Sequence, residues 1–471
     1  MRYVSTRGMA PDLGFSDAVL TGLARDGGLY WPEQFQSLAQ ARIAGFAGQS
    51  YQQIARAIIT PYADDIDAQA LGQMIDHAYA SFRHPVVCPL IQIAPNQFVL
   101  ELFHGPTLAF KDVAMQLLGR LMDHMLKQRG ERATIVGATS GDTGGAAIEA
   151  FRGLEQVDVF ILYPHGRVSD VQRRQMTTVD APNIHAIALE GTFDDCQAHV
   201  KAMFNHLQFR DRYALSGVNS INWARILAQT VYYFTAAVAL GAPHRPINFS
   251  VPTGNFGDIL AGYVAKRMGL PIPNLMIGTN SNDILARCLA TGHYSVSAVH
   301  PTTSPSMDIQ VSSNFERLLF EACNRSSEQV RAMMAGLAQS GHFSVPDQAL
   351  NQIRNDFSAV RADEDSIAQT MRTTLSKTGY LLDPHTAVGV VASDQQLQTD
   401  PATPSVVLAT AHPAKFPDAV KHATGVHPAL PPHLADLLER REHFTVLPNE
   451  VSALEAFIAR QSRISSTDRT G

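Results

Sequence analysis

Short runs of mostly apolar residues, alternating with helix-length patterns, constrain this chain more than any other feature. Val157–Tyr163, Ile184–Leu189, Ile247–Val251 and Ser405–Ala409 read as strands, as does the β-rich run Phe98–Phe103. A strand with one wet face alternates polar and apolar residues; a run without that alternation is covered on both faces. Helical patterns follow these runs at Ala109–Lys127, up to Phe151, at Asp258–Met268 and from Asp418. Strand followed by helix, repeated, builds a parallel sheet flanked by helices.

This alternating zone runs from residue 97 to about 427. Before it, residues 1–96 read as mainly helical, with amphipathic patterns at Tyr51–Ile59 and Asp67–Phe82 and a loop at Asp26–Pro32 marked by adjacent glycines and a proline. After it, residues 428–471 are a helical segment ending in a polar tail, Gln461–Gly471, expected to be disordered.

Composition narrows the function classes. Hydrophobic residues are 45% and charged residues 17% of 471, enough apolar material for a large core. The formal charge of -6 and the lack of a basic stripe argue against nucleic acid as a partner. Cys88, Cys196, Cys288 and Cys323 are far apart and form no CxxC pair, so neither a disulfide framework nor a metal site is expected. The first residues lack the pattern of a signal peptide, and apolar runs such as Thr230–Leu240 are shorter than a membrane helix requires. A cytoplasmic enzyme with no membrane partner is the expected class.

Open parallel sheets bind ligands at the carboxyl ends of their strands, so the strand-to-helix loops matter most. In Phe103-His-Gly-Pro-Thr-Leu-Ala-Phe-Lys-Asp112, Lys111 falls where a helix begins. Burial and the positive end of the helix dipole favour a neutral amine there, a nucleophile suited to a Schiff base. Taken alone, the segment equally fits a surface lysine opening a helix. Gly137-Ala-Thr-Ser-Gly-Asp-Thr-Gly-Gly145 lets backbone N–H groups face an anion and adds Thr139, Ser140, Asp142 and Thr143. It is neither a Walker loop nor a dinucleotide fingerprint. Thr253-Gly-Asn-Phe-Gly-Asp258 is a second anion cradle. His412, Lys415 and Thr410 lie in the loop after Ser405–Ala409, and in Ser216–Arg225 the guanidinium of Arg225 fits either an anion clamp or an ordinary helix surface.

Together these segments resemble the threonine synthases, in particular the longer bacterial and yeast-type branch. The resemblance rests on Leu102–Asp112, Ala138–Gly144, Val251–Asp258 and Ala409–Phe416, with weaker agreement at Gly22–Pro32, Leu162–Pro164, Asn219–Asn222, Met307–Asp308 and Ser313–Arg317. It covers nearly the whole chain.

The resemblance implies an α/β, fold-type II pyridoxal-phosphate enzyme (tryptophan synthase β-like), with two open, mostly parallel sheets and the site between two subdomains. It implies pyridoxal 5'-phosphate held by Lys111, its phosphate cradled by Gly254, Asn255, Phe256, Gly257 and Asp258, and its pyridine nitrogen met by Thr410. Thr139, Ser140, Gly141, Asp142 and Thr143 would meet substrate and, at Asp142, the cofactor. Ser220, Asn222, Arg225, His412 and Lys415 would complete the substrate site. The implied reaction is O-phospho-L-homoserine plus water to L-threonine and phosphate, in a monomer or weak homodimer.

Three anions need holding in that reaction (cofactor phosphate, substrate phosphate, substrate carboxylate), which matches the number of cradles better than a dehydratase would. A phospho-lyase or hydroxyamino-acid dehydratase on the same scaffold, and an inactive binding homologue, are the competing readings. The N-terminal zone is expected to close over the site and keep water from a reactive intermediate.

Overall fold

The computed structural model describes residues 1–217 and 219–464. They fall into two compact units, each assembled from separated pieces of chain: Met1–Asp76, Phe82–His104 and Ser220–Pro428 in the first, His77–Ser81, Gly105–Asn219 and the chain from Ala429 in the second.

The first unit is built on a six-stranded sheet. Its order is Phe357–Arg361, Leu275–Thr279, Asn248–Pro252, Ser405–Ala409, Gln97–Glu101 and Leu90–Ala94. All neighbours are parallel except the last pair, which is antiparallel and irregular between Gln92 and Ala94. The strands Asn248–Pro252, Leu275–Thr279 and Ser405–Ala409 are buried along their whole length, which is why they lack alternation. Helix Pro384–Thr399 presses on this sheet so closely that a Cβ on Gly389 would stand 2.8 Å from Val407 Cγ1. Val99, Val388 and Val407 lie in the core so formed.

The N-terminal zone is part of this unit. The run Asp26–Pro32, expected as a loop, contains a strand, Tyr30–Pro32, paired antiparallel with Tyr3–Ser5. The glycines and proline that signal a loop bound a stretch too short to show strand periodicity. Long-range bonds fasten the zone. Arg317, wholly buried, donates to Tyr30 O at 2.7 Å; Trp31 Nε1 donates to Glu321 at 2.8 Å; Thr6 Oγ1 donates to Glu316 at 2.6 Å. Any closing movement of residues 1–76 must therefore carry these partners with it.

The second unit holds a five-stranded, fully parallel sheet ordered Thr445–Leu447, Ile184–Leu189, Val157–Pro164, Ala133–Ala138 and Leu215–Ser216. Val157–Pro164 is central and buried at every residue. The expected disordered tail starts too early: Gln461 closes helix Val451–Gln461, and Arg463 is held by buried Asp158 through its backbone N at 2.7 Å and its Nε at 2.5 Å. A buried carboxylate needs such a partner, so it orders the chain end. The remainder of that expectation, residues 465–471, lies outside the described residues.

Candidate active site

In the second unit, Lys111 is the first residue of helix Lys111–Arg129, as its sequence position suggests. The loop before it is tightened by Asp112, whose carboxylate accepts from Thr107 N and Thr107 Oγ1, both at 2.7 Å. Strand Ala133–Ala138 then runs into Thr139, whose Oγ1 accepts from Gly141 N and Gly144 N at 2.9 Å each. Gly141 has φ of +148°, a conformation few L-residues adopt, and a Cβ there would meet Gln172 at 2.5 Å. This fold of the loop points Asp142 inward. Its Oδ1 accepts from Gln172 Nε2 at 2.9 Å, and its Oδ2 lies 3.5 Å from Lys111 Nζ. Ser140 is exposed and Thr143 half-buried on the same loop. The sequence singled out Lys111 and Asp142 separately; their pairing, and the bracing role of Gln172, are tertiary facts.

In the first unit, strand Asn248–Pro252 ends in the Thr253–Asp258 loop. Thr253 Oγ1 turns back to Val251 O at 2.7 Å, and Phe256 adopts φ of +63° before helix Gly257–Arg267 begins. The loop is clamped from outside: Ser312 Oγ donates to Gly254 O at 2.7 Å, and Asn314 donates to Asn255 O from its backbone N and its Nδ2, both at 3.1 Å. A Cβ on Gly254 would stand 3.0 Å from Ser306 O, so the segment 306–314 requires glycine there. Among the described residues, Gly254, Asn255 and Phe256 donate their backbone N–H groups to no protein acceptor. Backbone donors at a helix start, with no side chain in the way, are a donor set that fits a phosphate group.

The Asp258 side chain turns away from this cradle into the protein, where Tyr232 Oη and Tyr233 Oη both donate to Oδ1, the latter at 3.3 Å, while its backbone N–H stays in the first turn of helix Gly257–Arg267. Burial pushes its carboxyl up to about 7, against the lowering pull of the two phenols. The other oxygen, Oδ2, has no hydrogen-bond partner among the described residues. Asn222 is likewise engaged: its Oδ1 caps helix Trp223–Ala239 through Ala224 N at 3.0 Å and its Nδ2 donates to Val19 O at 2.8 Å. Each side-chain group thus makes one bond within the protein, which fixes the amide at the start of the helix. Ser220 Oγ lies 3.1 Å from Ser313 Oγ. Arg225 sits on the first turn of that helix, 4% exposed, with no hydrogen-bond partner for Nε among the described residues; burial lowers it to about 10.

The loop after Ser405–Ala409 carries buried Thr410, half-buried His412 and wholly buried Lys415. His412 Nδ1 accepts from Ala414 N at 3.1 Å, which leaves the ring proton on Nε2. Burial lowers this imidazole to about 4, so the ring is neutral at working pH. Three neighbours escaped the sequence reading. His104 Nε2 lies 2.7 Å from Glu101 Oε2, and Tyr380 Oη donates to Glu101 Oε1 at 2.7 Å. Burial pushes Glu101 up, but these two bonds prevail and hold it below its ordinary value. Phe103 then bridges to His412, ring to ring at 5.3 Å. The signal available in the sequence was position: Glu101 and His104 stand at the carboxyl end of a parallel strand.

Comparison with known proteins bears directly on these features. Residues 2–79 match the family model described as threonine synthase N terminus, 94–346 that of pyridoxal-phosphate dependent enzymes, and 386–458 that of the threonine synthase C-terminal region. A threonine synthase of Pseudomonas aeruginosa is 52% identical, the match covering 98% of each chain. The crystal structure of a pyridoxal-phosphate-bound threonine synthase from Brucella melitensis superposes with a TM-score of 0.97 at 60% identity, covering 98% of this chain and all of that one. A yeast threonine synthase structure gives 0.93 at 40% identity, with 98% of both chains covered.

Proposed function

This chain belongs to the threonine synthase family, and from that premise we propose how its own residues carry the reaction. It is a pyridoxal-phosphate-dependent lyase of threonine biosynthesis that turns O-phospho-L-homoserine and water into L-threonine and phosphate. The observation that carries the assignment of roles is the meeting of Lys111 Nζ with Asp142 on the glycine loop. Bound pyridoxal phosphate supplies an electron sink for the carbons next to the substrate amine.

Lys111 Nζ holds that cofactor and takes and returns protons at Cα and the adjoining carbons. Asp142, braced by Gln172, orients the amine. Gly254, Asn255, Phe256, Gly257 and Asp258 hold the cofactor phosphate through backbone N–H groups, and the Asp258 carboxylate keeps that turn in shape from behind. Thr410 offers its hydroxyl to the pyridine nitrogen. Thr139, Ser140, Gly141 and Thr143 bind the substrate carboxylate, the donors lying at the start of helix Asp142–Phe151.

Arg225, Ser220, His412 and Lys415 receive the substrate phosphate. A buried guanidinium lacking an internal acceptor at Nε is built for an anion that arrives from outside. His412 takes part as a neutral N–H donor rather than as a cation. A cytoplasmic setting fits four free cysteines, and a monomer or weak homodimer completes the proposal. Among the described residues, no helix is long and apolar enough to cross a membrane.

The test is phosphate release from O-phospho-L-homoserine with the amino-acid product identified in the same sample. Equal amounts of phosphate and threonine support these roles. Phosphate with a 2-keto acid and ammonia would instead mean a lyase outcome on the same scaffold.

A further inference from the structure

The first unit contains a cavity of about 360 Å³ lined mainly by Leu29, Ile221, Phe315, Leu319, Leu337 and Phe343. That is the small end of the roughly 300–1,000 Å³ range of ligand pockets. One part of its wall is charged. Glu316, 6% exposed, is bound by Arg7 twice, Nη2 to Oε2 at 2.9 Å and Nε to Oε1 at 3.1 Å. This bidentate pairing leaves Arg7 Nη1 with no hydrogen-bond acceptor among the described residues. Nη1 lies against Gly27, another lining residue, and any Cβ there would stand 2.8 Å from it. The glycine thus makes room for the one guanidinium nitrogen that Glu316 does not use.

A third part of the wall is Ser312 and Ser313. Ser312 Oγ donates to Gly254 O at 2.7 Å, and Ser313 Oγ lies 3.4 Å from Asn255 Oδ1. The cavity therefore shares residues with the clamp on the Gly254–Asp258 loop without including any backbone N–H of that loop.

We propose that this cavity is a second small-molecule site, one that takes an apolar α-amino acid. Its α-carboxylate binds Arg7 Nη1, its ammonium group binds Glu316, and its side chain lies on the leucine and phenylalanine wall. A zwitterion matches an ion pair at the end of an apolar pocket, because each of its charges meets the opposite one. A bare carboxylate or amine would satisfy only one of the two. Binding itself does not depend on the roles proposed for the Gly254–Asp258 loop, so the two readings fail separately.

The test is calorimetric titration of the pyridoxal-phosphate-loaded protein with three probes: L-leucine, 4-methylpentanoate and 3-methylbutylamine. The expected result is one leucine bound per chain, with each singly charged analogue weaker by about tenfold or more. Arg7→Gln is expected to weaken leucine by a similar factor. Because that change also unpairs Glu316, Ala338→Trp serves as the second variant: Ala338 is an exposed lining residue whose enlargement closes the cavity without touching the core. Absence of leucine binding, equal binding of the three probes, or leucine binding unchanged in Ala338→Trp would each overturn the proposal.

Discussion

Lys111 Nζ stands 3.5 Å from Asp142 Oδ2, and Asp142 is itself held by Gln172 through its other oxygen. The amine and carboxylate come from the first residues of two different helices, Lys111–Arg129 and Asp142–Phe151. Lys111→Ala is expected to abolish the visible absorbance of the bound cofactor and to lower kcat by about a thousandfold or more. Asp142→Asn should keep the absorbance and lower kcat/KM by roughly 10–100-fold. Absorbance spectra and steady-state rates on both variants check this; a fully active Lys111→Ala would remove the assignment.

Arg225 is predicted to trade stability for binding. A buried guanidinium that, among the described residues, has no carboxylate partner burdens the fold, and a methionine of similar length fills the same space. Arg225→Met should raise the melting temperature of the ligand-free protein by roughly 2–4 °C. The same variant should raise KM for the phosphorylated substrate about tenfold or more, and much less for an unphosphorylated analogue. Thermal melts and the two KM values read the effects independently.

Asp258 makes stability fall as pH rises. Its folded-state carboxyl is raised to about 7 from an ordinary 3.8. Between those values the unfolded chain has released the proton and the folded chain still holds it, so the unfolded state is favoured progressively. This contribution is complete near pH 4 and lost by about pH 7. Asp258→Asn, which keeps an acceptor for Tyr232 and Tyr233, should flatten that decline in melts recorded across the window.

His412 works in the opposite direction. Its imidazole is lowered from 6.5 to about 4 by burial, so on acidification the unfolded chain takes up the proton first. The stability it contributes is present above pH 6.5 and is lost as pH falls towards 4. His412→Asn keeps an acceptor for Ala414 N and should remove this acid-side loss. In activity, His412 should produce no rate inflection near pH 6.5; one that disappears in His412→Asn would contradict the neutral-donor role.

The cysteines should be inert until the protein unfolds. All four are buried, and burial raises each thiol, Cys196 to about 11 and Cys288 to about 12. Since the thiolate is the reactive form, a thiol reagent should label none in the native protein and four after denaturation. Rapid native labelling would show that a core segment opens locally.

Much of the site was legible because each piece lies within one short stretch. The lysine at a helix start, the two glycine loops and the loop after Ser405–Ala409 are local patterns, and their resemblance to a family added the roles. Individual side chains were a different matter. Asp258 stands next to the glycines of its cradle, yet its carboxyl faces two tyrosines of helix Trp223–Ala239. Asn222, expected at the substrate, also caps a helix and bonds Val19 O, two roles its sequence position did not announce.

What the sequence determined by itself was the alternation of covered strands and helices, the loops at the strand ends, and the family. These depend on periodicity and on neighbours a few residues apart, and the backbone has few ways to satisfy them. The tertiary structure alone decided which loops are clamped and by what: Ser312 on Gly254, Gln172 on Asp142, Tyr380 and His104 on Glu101, Glu316 on Arg7. Partners such as Arg7 and Glu316, 309 residues apart, leave no periodic trace in the chain. A hydrogen bond has no sequence spacing of its own; it is chosen by which polar groups the packed core leaves facing one another.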